Sequence, residues 1–286
     1  MIQSRVAMVT GGGGGIGAAM ASAVAARGVR IAVTDIDLAA AEKVAQNLNK
    51  AHGDGSAIAL AHDVSKEADC VRAVRDTVDR FGSVDILFNN AGISVSSFRG
   101  DAETNLPTIT ELTPDLMDRF YRINFMGAVH MIRATVPAMV ERGWGRVINN
   151  TTSFITMMRV LPYGPLKAAL EASSAVWAAE LKDTGVTVNV LVPGGPTDTA
   201  FIHPDAGIPR EKMLKPSVMG PPAAWLASPD SDGITGKRYI AGFWNTSLPE
   251  REAAREAGAP IGWPDLAAAT RLWPGEEPGK GPGQGL

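Results

Sequence analysis

Short β-branched apolar runs alternate with longer stretches of helical spacing along most of this chain. Residues 6–10, 30–34, 57–61, 84–88, 146–150, 186–192 and 237–241 read as strands. Residues 16–27, 38–50, 66–81, 114–142 and 163–182 read as helices, with a further short one near 221–226. Gly28 closes the first helix, and Asp37 is placed to cap the second by accepting an orphan backbone N–H. In the third helix, Val71, Val74 and Val78 mark the expected apolar face. Pro165 lies inside the 163–182 pattern and is compatible with it only if that helix starts near Tyr163, because the first turn has no N–H partners to lose.

Strands separated by helices of this length imply βαβ units: an α/β fold with a parallel sheet and helices on both faces. Nothing before about residue 245 marks a boundary, so residues 1–245 form one domain. Residues 246–286 form a C-terminal extension, partly irregular, with short helices expected at 248–257 and 265–272 and none after Pro274. Trp263 and Trp273 are the residues able to dock this extension on a neighbour or over a pocket.

Composition narrows the function. The chain has 286 residues, 45% of them hydrophobic, enough for a full core. A net charge of −3 without charge blocks argues against nucleic acid as a partner. A single cysteine, Cys70, excludes an internal disulfide, and four scattered histidines give no metal-ligand spacing, so no metal is expected. No run of about 18 apolar residues is present, and the first strand begins by Val6, so neither a membrane span nor a leader is expected and the location expected is cytoplasmic. Of the 31 glycines, six fall in one run from Gly11 to Gly17 and five in the last fourteen residues.

The first glycine cluster lies between a strand and a helix. A dinucleotide pyrophosphate requires this arrangement: a tight turn, backbone N–H groups that approach phosphate, and the positive end of a helix. Gly12, Gly14 and Gly17 match G-x-G-x-x-G, although so dense a run matches several registers. Ala18 follows Gly17 where a nucleotide-triphosphate loop needs lysine. Asp35, 18 residues after Gly17, ends the second strand, where an acid accepts from ribose hydroxyls and repels a 2′-phosphate. Neither Gly14 nor Ile36 is basic, so the expected cofactor is NAD.

Three ordered motifs, Thr10-Gly11-x-x-x-Gly15-Ile16-Gly17, Asn89-Asn90-Ala91-Gly92 and Tyr163-x-x-x-Lys167, resemble the short-chain dehydrogenase/reductase family over about residues 5–242. The resemblance implies a single doubly wound Rossmann-type domain and hydride transfer between NAD(H) and a small-molecule alcohol or carbonyl. Tyr163 and Lys167 share a helix face. A free tyrosine is a poor base at neutral pH, and a nearby ammonium together with a positive nicotinamide would favour its phenolate. The resemblance further implies that Asn124 supports a water relay to the lysine and that Asp63 and Val64 contact adenine. Asn90, Ala91 and Gly92 would lie under the ribose, and Pro193 and Gly194 beside the nicotinamide.

The chain departs from the family pattern in two places. The serine expected after the fifth strand falls in Asn149-Asn150-Thr151-Thr152-Ser153; counting selects Thr152, residue type selects Ser153, and both are kept. The loop after Pro193 is one residue longer, so the threonine meeting the carboxamide is Thr197 or Thr199, of which Thr199 is chosen. An insertion separates Ile93 from Thr113, and Met157, Met158, Leu161, Phe201, Ile202 and Met213 are candidate apolar pocket residues. The leading reading is an NAD-dependent dehydrogenase of secondary alcohols. The alternatives are a catalytically silent dinucleotide-binding sensor or scaffold and, disfavoured by Asp35, an NADPH-preferring reductase. The resemblance also implies a homodimer or homotetramer built on the two long helices, where Ala168, Ala169, Ala172 and Ala175 allow close approach.

Overall fold

The structure, a computed structural model, describes residues 5–264. The strands are β1 (Val6–Thr10), β2 (Arg30–Asp35), β3 (Ala57–Ala61), β4 (Ile86–Asn89), β5 (Gly145–Asn150), β6 (Val186–Val192), β7 (Lys237–Ile240) and β8 (Gly258–Pro260). They form one eight-stranded sheet in the order β3-β2-β1-β4-β5-β6-β7-β8. Strands β1 to β7 pair in parallel, while β8 runs antiparallel to β7. From β1 the chain moves outward to β2 and β3, then crosses to β4 on the other side. That switch point opens a crevice at the carboxyl ends of β1 and β4, where ligands bind in sheets of this kind.

The helices are α1 (Gly15–Ala25), α2 (Leu38–His52), α3 (Glu67–Phe81), α4 (Pro114–Tyr121), α5 (Gly127–Glu141), α6 (Phe154–Arg159), α7 (Tyr163–Glu180), α8 (Gly220–Leu226) and α9 (Glu250–Ala257). Strand residues alternate between faces. Ala7, Val9, Ile31, Val33, Ile86 and Phe88 join a core with residues of α1, α2, α8 and α9. Met8, Ala32 and Leu87 point the other way, toward α3, α5 and α7. Both sheet faces are therefore buried, which is why these strands read as continuous apolar runs. Asp37 caps α2 as expected, accepting from the Ala40 amide at 3.2 Å.

Four expectations need correction. The buried stripe of α3 is Cys70, Ala73, Thr77 and Phe81, and Val71 and Val78 are exposed. The valines mark a real helical period, but the sheet contacts the stripe one residue earlier. The 114–142 helix is interrupted by a π-helical turn, Arg122–Met126, between α4 and α5. Helix α6 was unforeseen. Finally, α9 and β8 belong to the main body: Ala253, Ala254 and Ala257 enter the first core, and β8 extends the sheet.

Taken with the π-helical turn, the helical run from Pro114 to Glu141 is 28 residues long and apolar enough to cross a membrane by composition. Its Met131, Ile132, Val136 and Met139 pack in the core of this domain, which accounts for that composition. Trp263 packs at a tilt against Phe154, with ring centres 6.0 Å apart and planes at 53°. The helix expected at 265–272, Trp273 and the tail from Pro274 lie outside the described residues.

Candidate active site

The glycine run leaves β1 and enters α1 within five residues. Gly11 and Gly15 hold φ of 61° and 51°, and a Cβ on Gly17 would sit 2.2 Å from the Gly11 carbonyl oxygen. Only glycine meets both demands. Gly14, at the N-cap of α1, has nothing within 4 Å of a would-be Cβ and makes no side-chain cap. The open end of α1 thus presents backbone N–H groups to the crevice, as an anion cradle does.

The loop is fastened to the β4 turn. Thr10 Oγ1 accepts from the amides of Asn90 and Ala91, each at 3.0 Å, and Asn90 Nδ2 donates to the carbonyls of Thr10 and Gly11. Two motifs far apart in sequence are therefore one structural unit. Except for Gly12, Gly17 and Asn124, the candidate catalytic and cofactor-binding residues named from the sequence line one cavity of about 490 Å³.

At one end of this cavity stands Asp35. Its Oδ2 accepts from Gly13 N at 2.9 Å and its Oδ1 from Asp37 N at 3.1 Å, which fixes the carboxylate at the end of β2. Ile36 beside it is exposed. Burial acts to raise the Asp63 pKa, but hydrogen bonds from Ser65 and Lys66 outweigh it and hold this carboxyl below its usual range. Val64 and Ile16 border the same region.

The other end is built on α7, which begins at Tyr163 with Pro165 in its first turn, as the sequence required. Lys167 lies one turn on, its Nζ 5.7 Å from the Tyr163 ring centre and donating to the Asn150 carbonyl at 2.9 Å. Burial lowers the Lys167 pKa to about 8. Burial raises that of Tyr163, the Glu103 carboxylate adds to the rise, and a hydrogen bond with Thr152 opposes it. The direction for the chain's own groups is thus opposite to that expected from a lysine neighbour, because desolvation and the Glu103 charge both favour the neutral phenol.

Asn124 sits in the π-helical turn, a feature often found at functional sites. Its Oδ1 accepts from Ile93 N at 3.1 Å, while its buried Nδ2 has no partner. A cavity of about 10 Å³ lined by Asn124, Lys167, Thr10 and Ala91 adjoins it, close to the volume of one water.

The two hydroxyl candidates after β5 are separated by what they touch. Ser153 is the N-cap of α6, accepting from Thr156 N at 3.1 Å and bonding to its hydroxyl. Thr152 faces Tyr163. Behind it, Thr151 donates to the buried Glu171, which pairs with Arg238, and Arg238 donates to the Thr152 carbonyl. Thr197 and Thr199 both border the cavity; Thr199 lies against Gly15, whereas Thr197 is buried in a bridge to Leu214. Pro193 and Gly194 border the same end.

Of the expected apolar lining, Phe201 and Ile202 are present, with Phe201 5.8 Å from the Tyr163 ring. Met157 and Met213 are instead packed in cores, Leu161 does not reach the cavity, and Met158 is exposed. Ile93, Val95, Val160 and Ile208 take their place. Glu103 also borders the cavity and was missed, because it lies in the insertion, which carries no motif or period.

The comparisons with known proteins agree with this geometry. Residues 5–205 match the model of the short chain dehydrogenase family. The sorbitol dehydrogenase of Cereibacter sphaeroides is 30% identical over 260 residues, covering 83% of this chain and 96% of that protein. The D-beta-hydroxybutyrate dehydrogenase of Cupriavidus necator is 34% identical over 200 residues, covering 68% and 71%. Among solved structures, a 3-ketoacyl-(acyl-carrier-protein) reductase from Brucella melitensis, complexed with NADH, superimposes with a TM-score of 0.71 at 30% identity, covering 84% of this chain and 97% of that one. The chain belongs to the short-chain dehydrogenase family and is an oxidoreductase with that family's nucleotide-binding Rossmann fold.

Proposed function

We propose that this protein transfers hydride between NAD(H) and a secondary alcohol or its ketone, with Tyr163 as the acid/base. The observation that carries this reading is that the Tyr163–Lys167 pair, the glycine cradle and Asp35 share one cavity. The open N-terminus of α1 suits a pyrophosphate, and the Asp35 carboxylate, with no basic residue beside it on β2, suits a ribose without a 2′-phosphate.

When bound, NAD⁺ supplies the hydride acceptor and a positive charge near the phenol. Thr152 orients the substrate oxygen beside Tyr163. In oxidation the carbinol carbon gives up hydride and its hydroxyl proton passes to the Tyr163 oxygen; reduction returns both. Lys167, held by the Asn150 carbonyl, favours the phenolate, and Asn124 with the adjoining water-sized cavity gives the proton a route past the lysine. The same reading has the protein cytoplasmic and assembled as a homodimer or homotetramer through α5 and α7.

The test is a screen of secondary alcohols and ketones with NAD(H), followed by nicotinamide absorbance, on wild type and Tyr163→Phe. The variant should lose activity by about 100-fold or more while binding NADH with near wild-type affinity. Equal turnover by the variant would end this mechanism.

A further inference from the structure

Glu103 is the one carboxylate at the Tyr163 end of the cavity among the described residues. Ser96 Oγ donates to its Oε1 at 3.3 Å, and the Ser94 hydroxyl is a second hydrogen-bond partner. The same cavity is lined by Ile93, Val95, Val160 and Ile202, together with the hydroxyl side chains of Ser94, Thr152, Ser153 and Thr156. A carboxylate in such surroundings is unfavourable unless its oxygens are bonded. Two serines satisfy part of its roughly four acceptor positions and leave the rest for a ligand.

The hydride-transfer machinery has no use for this group. A negative charge near Tyr163 opposes the phenolate, so Glu103 works against proton abstraction. Its retention in the pocket is explained by what it can bind. It is also well placed to do so. The amide of His203, on the loop that covers the cavity, donates to Ser96 Oγ at 3.3 Å, and the His203 ring abuts Gly100. The serine that holds Glu103 is thus fastened to the covering loop, which restrains the carboxylate in the cavity that Tyr163 also lines.

We propose that Glu103 determines substrate choice by accepting a hydrogen bond from a second hydroxyl group, so that the preferred substrates are apolar-bodied diols and hydroxyketones. Substrates bearing a carboxylate are disfavoured, because the cavity's one ammonium, Lys167, is bonded to Asn150 and Glu103 repels an anion. This inference rests on the hydride-transfer reading above.

Four alcohols with the same benzylic carbinol test it: 1-phenylethanol, 1-phenylethane-1,2-diol, 2-amino-1-phenylethanol and mandelate. Each is assayed with NAD⁺ on wild type, Glu103→Gln and Glu103→Leu, with circular dichroism and NADH fluorescence to establish folding. In wild type, kcat/KM for the diol should exceed that for 1-phenylethanol by about 10- to 100-fold, the range of a hydrogen bond to a charged group. That ratio should collapse toward one in Glu103→Leu, and mandelate should gain relative to 1-phenylethanol in both variants. If Glu103→Leu does not fold, the mandelate gain in Glu103→Gln decides. A wild-type ratio near one, or a ratio that survives Glu103→Leu, overturns the assignment while leaving hydride transfer intact. An amino alcohol that outruns the diol and loses its lead in Glu103→Leu overturns the diol in favour of an ammonium. No turnover of any of the four by wild type overturns the preference for apolar-bodied diols, while the broader screen of alcohols and ketones decides hydride transfer separately.

Discussion

Arg238 on β7 donates through Nη2 to the carbonyl oxygen of Thr152 at 2.7 Å while its Nη1 lies 3.2 Å from Glu171 Oε2 on α7. All three residues meet beside the Tyr163 end of the cavity, and both charged side chains are buried. Desolvation dominates each: burial raises the Glu171 pKa against the opposing pull of Arg238 and Thr151, and lowers that of Arg238 against Glu171. The pair therefore positions the turn after β5 more than it stabilises the fold. Arg238→Met should destabilise by about 3–5 kcal/mol, because Glu171 is left buried and unpaired, and Glu171→Leu/Arg238→Met should recover most of that loss. Urea unfolding measures both; a single variant as stable as wild type would contradict the ion-pair account.

Thr152 and Ser153 should separate cleanly by readout. Thr152→Val removes the hydroxyl facing Tyr163, so kcat/KM should fall by about 100-fold with little change in melting temperature. Ser153→Ala removes the α6 cap and should cost about 1 kcal/mol of stability, with the smaller effect on kcat/KM. Steady-state kinetics and thermal melts on the two variants make the comparison, and the reverse pattern would exchange their roles.

Asp35→Ser should shift cofactor preference. The ribose hydroxyls lose their acceptor and a 2′-phosphate no longer meets a carboxylate. The ratio of NADPH to NADH dissociation constants should therefore drop by about 10-fold or more, as read by fluorescence titration. Wild type binding NADPH more tightly than NADH would contradict the role given to Asp35.

His62 gives stability a pH dependence. Its Nδ1 is 2.9 Å from Thr34 Oγ1 and its Nε2 3.3 Å from Cys70 Sγ, and burial lowers its pKa from 6.5 to about 4. Between those values the unfolded chain takes up a proton that the folded chain does not. The contribution is whole above pH 6.5, falls as pH drops toward 4, and levels off below; its full size is about 3 kcal/mol. Unfolding free energies of His62→Gln should show a correspondingly shallower slope across this window. Equal slopes would mean that the carboxylates around it set the acid limb.

The sequence by itself determined the alternation of strands and helices, the start of α7 at Tyr163 and the strand–glycine–helix junction. These depend on local chemistry: side-chain period, the ring of Pro165 and the freedom of Gly11. The choice of family was legible because three motifs, the glycine run, Asn89-Asn90-Ala91-Gly92 and Tyr163-x-x-x-Lys167, occur in order at fitting spacings, which the sequence encodes directly. Tertiary structure decided the rest. It selected the stripe of α3 that is buried, because the sheet and not the valine pattern sets which face is covered. It placed both Thr152 and Ser153 on the cavity but engaged Ser153 as the cap of α6, because the chain turns into that helix directly after β5. It brought Glu103, from a segment with no period, into the cavity that Tyr163 lines. That residues 60 apart, such as Glu103 and Tyr163, line one cavity depends on how the chain crosses the sheet, and no local pattern carries that information.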